Sequence, residues 1–256
     1  MSGGDKHDRS SKRGHPPRSN VRDQAEQIAK ETGIPVHLAH QVALGNLSLN
    51  EVLSRMATRN KVEGLMKRYA IPKSLATQIA LGQADLAFVL QKRRRAEHVA
   101  ANRSRSVLLE AVASGEPLTI GLHGKATFRG TIVSVDQYEF TGVNLDGETQ
   151  TIHKLKAKYA CQDAINRAVR NQMRRDKTRK DPVEPIWKPQ DRYGCSDRRL
   201  FGILDEAVLA TATTLEGEVF TGRIGWMGRW EFGMTLKKKN AEVVIFRHAL
   251  ADLRRA

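Results

Sequence analysis

Apolar residues in the first hundred positions of this chain recur at helical spacing. From about Val107 onward they alternate with polar residues instead. The helical part is an internal repeat: GIPVHLAHQVALGNLSLNEVL at 33–53 returns 37 residues later as AIPKSLATQIALGQADLAFVL at 70–90. Ile34 matches Ile71, Pro35 matches Pro72, Leu38 matches Leu75, Leu44-Gly45 matches Leu81-Gly82 and Leu53 matches Leu90. Each proline stands where the first turn of a helix tolerates one, and each glycine where a helix ends. Two helical units are too few for a solenoid, so they are expected to pack on each other. Ile28, Ala29, Gly33, Ile34, Ala39 and Val42 of the first copy also have the spacing of a helix-turn-helix. In the second copy Ala70 replaces Gly33 and Met66 replaces Ala29, which weakens that match.

SVLLEAVAS (106–114) predicts a short amphipathic helix ended by Gly115. LTIGL (118–122), ATFRGTIVSV (126–135), YEFTGVNL (138–145) and TQTIHKL (149–155) then read as short strands, with turns at His123-Gly124 and Asp146-Gly147. Residues 161–199 break the pattern with a basic helix or extension, followed by the proline-rich linker DPVEPIWKPQDRYG (181–194). Strands return in AVLATATT (207–214), EVFTGRIGWM (218–227), WEFGMTLKK (230–238) and AEVVIFRH (241–248). The expected organisation is a basic disordered tail (1–20), a helical repeat domain with a basic connector (21–105), a strand-rich domain (106–160), a linker (161–199) and a second strand-rich domain (200–256). One helix with about five short strands, met twice, predicts an α+β chain: a helical repeat followed by two small five-stranded barrels.

Charge narrows the partners. The formal net charge is +15, which works against a compact state unless a polyanion offsets it. Arg93, Arg94 and Arg95 lie in the connector, and Arg174, Arg175 and Lys180 in the linker, as a candidate basic patch. No stretch has the apolar face of a membrane binder or the length of a spanning helix, and the first residues have no apolar leader core, so a cytoplasmic protein is expected. Cys161 and Cys195 have no metal-like spacing, and His37 and His40 have no third ligand. No nucleophile motif or phosphate loop is present. The chain reads as a non-enzyme with no metal and no cofactor.

PLTIGLHGKATFRGTIVSVDQYEF (117–140) resembles the first Sm motif of the bacterial RNA chaperone (Hfq) family. Gly130 stands at the family's curved second strand, and Asp136-Gln137-Tyr138 at its Asp-Gln-Phe turn. FTGRIGWMGRWEF (220–232) keeps the strand-two glycine as Gly222 but carries Gly228-Arg229-Trp230 at that turn. Phe246-Arg247-His248-Ala249 is similar to the family's second motif, Tyr-Lys-His-Ala. In the first segment the corresponding residues are His153-Lys154-Leu155, so the histidine is lost. The resemblance implies a ring of Sm-like barrels with uridine pockets at their boundaries. Each pocket would take the Gln-aromatic pair from one barrel and the basic–His pair from the next.

The resulting expectation is an RNA-binding protein of RNA-chaperone type, gripping single-stranded, U-rich RNA in post-transcriptional regulation. Gln137, Tyr138, Lys154, Arg229, Trp230, Arg247 and His248 are its candidate RNA-binding residues. The expected assembly is a homo-oligomer, three chains forming a pseudo-hexameric ring. The alternatives are a DNA-binding transcriptional regulator that reads DNA with the helical repeat and oligomerises through the Sm-like part, and a scaffold whose barrels bind proteins.

Overall fold

The computed structural model describes residues 18–179, 183–238 and 241–256. The chain divides into two compact units, with the division between Val89 and Leu90.

The first unit contains α1 (Arg18–Thr32), α2 (Val36–Ala43), α3 (Leu49–Tyr69), α4 (Lys73–Ala80) and the start of α5 (Leu86–Ala101). The 37-residue repeat is also a repeat of backbone conformation. A left-handed residue precedes each short helix, Gly33 at φ +68° and Ala70 at φ +50°, and another follows it, Gly45 at +73° and Gly82 at +74°. Ala70 adopts by context what glycine adopts freely, at a cost of about 1–2 kcal/mol. Each copy has its own core. Ala25, Ile34 and Ala39 lie in the first, and Val62, Ile71 and Ala76 occupy the equivalent places in the second. The helix α3 serves both, giving Val52 and Met56 to the first core and Val62, Leu65 and Met66 to the second. Its start is fixed by a capping box of Ser48 and Glu51.

The second unit begins with the rest of α5. It continues through α6 (Val107–Ser114), β1 (Leu118–Leu122), β2 (Thr127–Val135), β3 (Glu139–Asn144), β4 (Thr149–His153) and β5 (Ala157–Gln162). Next come α7 (Asn166–Gln172), β6 (Arg174–Arg175) and α8 (Asp197–Asp205), then β7 (Leu209–Thr214), β8 (Glu218–Met227), β9 (Glu231–Leu236), β10 (Glu242–Phe246) and β11 (Leu250–Arg255). The expectation of two separate five-stranded barrels is wrong. All the strands belong to one open antiparallel sheet in the order β11-β7-β8-β9-β10-β5-β1-β2-β3-β4, with β6 added alongside β8.

The reason lies in β5 and β10, which pair through Val244↔Ala160 and Ile245↔Tyr159. Both strands are buried on two faces. Tyr159 and Cys161 pack into the second core with Phe220 and Ile245, whereas Phe246 packs into the first with Phe128 and Phe140. The Tyr159 and Phe220 rings meet edge to face at 5.0 Å. Two sets of strands that exchange core residues cannot close separately. The connector is likewise part of this unit: Arg94 donates both fork nitrogens to Asp205 at 3.0 and 2.8 Å, and Met227 N–H donates to His98 Nε2 at 3.1 Å.

The strand order is nonetheless repeated, fifth-first-second-third-fourth in each half, and glycine opens the second strand in both. A Cβ on Gly130 would lie inside 3.0 Å of the Val143 carbonyl oxygen, and one on Gly222 inside 3.0 Å of the Thr235 oxygen; at Gly225 the space is empty. Gly130→Ala and Gly222→Ala should each destabilise by about 2 kcal/mol or more, the cost of overpacking against backbone, and Gly225→Ala by much less. Urea denaturation checks this, and equal losses at all three sites would contradict the close approach.

Candidate nucleic-acid interface

The same clamp is built twice. In the first half, Lys154 opens the one-turn 3-10 helix after β4. Its backbone N–H donates to Tyr138 O at 2.8 Å, and its ammonium donates to Asp136 O and, at 3.4 Å, to Gln137 O. In the second half, Arg247 opens the equivalent turn after β10. Its N–H donates to Trp230 O at 2.8 Å, and one guanidinium nitrogen donates to Gly228 O at 3.3 Å and Arg229 O at 3.1 Å. Each cation thus ties down the carbonyls of the turn that carries the aromatic, which a flexible loop would leave to water. Burial lowers the Lys154 ammonium below its ordinary value, with Asp136 and Glu231 opposing that shift.

What each clamp presents is an exposed ring: Tyr138 and Trp230 are both 62% exposed. Gln137 Nε2 donates to the Tyr138 hydroxyl at 3.0 Å, and the Arg229 guanidinium lies over the Trp230 ring at 4.6 Å. The Tyr138 ring stacks on His153 at 6.4 Å and an interplanar angle of 12°, and His153 meets Trp187 edge-on at 4.9 Å. Arg192 donates to Ile186 O and Trp187 O, both at 2.8 Å, and so fixes the linker that carries this tryptophan. His153, Trp187 and Arg192 are therefore additions to the site predicted from sequence. A tryptophan in a proline-rich linker, with no strand or helix to bury it, was the signal available for Trp187.

Arg247 and His248 serve as braces. Besides the turn carbonyls, Arg247 bonds Asp197 at 2.8 Å and Cys195 O. His248 Nε2 is 2.8 Å from Ala157 O, so the neutral ring donates from Nε2 and joins the end of β10 to the start of β5. Burial lowers its pKa to about 4, helped by Arg192, His123 and His153 and opposed by the Ala157 carbonyl. No contact brings Tyr138 and His248 together among the described residues, although His153, which Tyr138 stacks on, is within electrostatic reach of His248.

The predicted basic patch is dispersed. Arg93 pairs with Glu97 and Arg94 with Asp205, both at 2.8 Å, and Arg95 is half-buried. Arg174 and Arg175 are exposed on β6, with Arg175 3.8 Å from Glu218; Lys180 lies outside the described residues, as does most of the predicted N-terminal tail. Both cysteines are buried thiols. Among the described residues no group of three His, Cys, Asp or Glu side chains could hold a metal ion, and no helix is long and apolar enough to cross a membrane. The chain matches no protein-family model and no curated protein.

The brace titrates. An unfolded imidazole protonates near pH 6.5, but His248 in the fold does so only near 4. Its contribution is whole above about pH 6.5 and is lost as pH falls towards about 4. Glu231 acts in the opposite sense over an overlapping range, because burial raises its carboxyl from 4.5 to about 7. The difference between variants isolates the histidine. The stability advantage of wild type over His248→Gln should shrink by roughly 2–3 kcal/mol between about pH 7.5 and 4.5, since each tenfold change in proton affinity on folding is worth about 1.4 kcal/mol. A difference independent of pH in urea unfolding would contradict the brace.

Proposed function

We propose that this chain binds single-stranded RNA, with Tyr138 and Trp230 as stacking platforms and surface arginines meeting the phosphates, and that it acts as an RNA chaperone in the cytoplasm. The observation that carries the reading is the repeated clamp: two rigid turns, each with a basic side chain bound to its carbonyls and each holding an aromatic ring out to solvent. An exposed ring on an ordered turn stacks on a base without a further ordering cost, and stacking of this kind is sequence-tolerant. The net charge of +15 supports a polyanionic partner, and the resemblance to the first Sm motif falls on the turn that carries Tyr138. Reading of duplex DNA by the helical repeat has less support. The short helices α2 and α4 carry one lysine or arginine between them, Lys73, and groove-entering helices normally bring several phosphate contacts with them.

The reading includes assembly. The sheet ends on β4, a fourth strand, and β11, a fifth strand, and the junction inside the chain joins the same two kinds, β10 and β5. Open edges of matching type favour head-to-tail addition of a second copy, and closure after three chains would give a ring of six halves.

For a short oligo(U), binding should weaken with salt at a log–log slope of about −0.7 per phosphate neutralised. Tyr138→Ala should cost about 1–3 kcal/mol with that slope unchanged. Fluorescence anisotropy across a salt series measures both; a flat salt response, or full affinity without Tyr138, would overturn the reading. Light scattering should give a mass of three chains at tens of micromolar, and a strict monomer would overturn the ring.

A further inference from the structure

The second aromatic turn borders a groove that its counterpart in the first half does not share in sequence. The groove encloses about 760 Å³, within the ~300–1,000 Å³ usual for small-ligand sites. One wall is the last two turns of α5 and the residues just beyond, with Ala96, Val99, Ala100 and Arg103; the other is Met227, Gly228 and Arg229, and the ion pair of Asp197 and Arg247 completes the lining. Both walls are fixed. His98 accepts the Met227 N–H, Asn102 Nδ2 donates to His98 O at 2.9 Å, and Arg247 holds the turn from beneath.

The charges at the groove are unequal in availability. Arg247 is paired with Asp197. Arg103 and Arg229 are exposed and have no carboxylate partner among the described residues. The first half carries an aspartate, Asp136, at its aromatic turn, and the second carries Gly228 there; the carboxylate that lines the groove is Asp197, whose charge is offset by Arg247 at 2.8 Å. A Cβ on Gly228 would point at the backbone oxygens of Arg105 and Asn102, 3.4 and 3.5 Å away, so a larger side chain would extend towards the helix wall. The next residue after Arg229 is the exposed Trp230.

We infer that this groove holds one nucleotide of single-stranded RNA, its phosphate against Arg103 and Arg229 and its base on Trp230. The small side chains Ala96 and Ala100 leave room for the sugar, and two guanidinium groups from opposite walls match a phosphodiester better than a carboxylate peptide, which offers no ring for the indole. The inference rests on the RNA-binding reading but adds a second site, one of whose two arginines, Arg103, follows the end of α5.

The test measures oligo(U) anisotropy with the full chain carrying Arg103→Gln, Trp230→Ala, Trp230→Phe or, as a control for general charge, Arg223→Gln on the exposed face of β8. Trp230→Ala should weaken binding roughly tenfold or more, and Trp230→Phe should retain most of it, because phenylalanine still stacks. Arg103→Gln should weaken binding and make the salt slope shallower by about 0.7, as for one phosphate contact. Arg223→Gln should stay within about twofold of wild type, since it alters only the diffuse field. Wild-type affinity in both Trp230→Ala and Arg103→Gln would overturn this site and leave RNA binding at the Tyr138 turn standing. Equal losses at Arg103 and Arg223 would replace the site with diffuse charge. Wild type that binds no oligo(U) would overturn both.

Discussion

Lys158 is the second residue of β5, with 1% of its surface exposed, and its ammonium is held by Glu216 and by Glu218, the latter at 2.7 Å, both from the other half of the sheet. A buried ammonium is tolerated only with partners, and removing one partner of such a group costs about 3–5 kcal/mol. Glu216 gathers further donors: the N–H groups of Gly124 at 2.6 Å, Lys125 at 3.2 Å and Val183 at 3.0 Å. Burial would raise its carboxyl, but the Lys158 ammonium and the N–H groups of Val183 and Gly124 hold it at about 2. One cluster therefore fastens the β1–β2 turn of the first half, the linker and the β7–β8 turn of the second half to a single strand. It reinforces the pairing of β5 with β10 by tying β5 to the second half a second time.

That junction also sorts the basic residues into two kinds. Lys154, Lys158 and Arg247 are consumed inside the fold, by backbone carbonyls or carboxylates. Arg103, Arg174, Arg223 and Arg229 are exposed. A strand that ends in Arg-His looks like a ligand site in sequence, whereas here the arginine braces one turn and the histidine ties two strands. The rings those braces leave exposed, rather than the braces, are the surface suited to a base.

Much of the local structure was legible in the sequence. The 37-residue repeat was plain because Ile-Pro and Leu-Gly recur at positions with specific backbone demands, and its weakest point, Ala70 for Gly33, is a left-handed residue in the structure. SVLLEAVAS contains α6, and the alternating runs became strands. The long-range pairing was not legible. AKYACQ has a lysine near its start, which interrupts the apolar run of a doubly buried strand, and the carboxylates that neutralise it lie about sixty residues away in sequence. Nor were the roles of Lys154 and Arg247, because their partners are backbone oxygens, which leave no mark in sequence. Tyr138 and Trp230 were legible as candidate site residues, and their equal exposure was not: aspartate-glutamine-tyrosine matched a known motif and glycine-arginine-tryptophan did not.

The central claim is that two clamped aromatic turns form the RNA-contacting surface. Ultraviolet crosslinking of the full chain to a U-rich oligonucleotide, followed by mass spectrometry of the linked peptides, addresses it directly. The account predicts crosslinks on the peptides that contain Tyr138 and Trp230. Crosslinks confined to the helical repeat, with both turns unlabelled at saturating RNA, would contradict it.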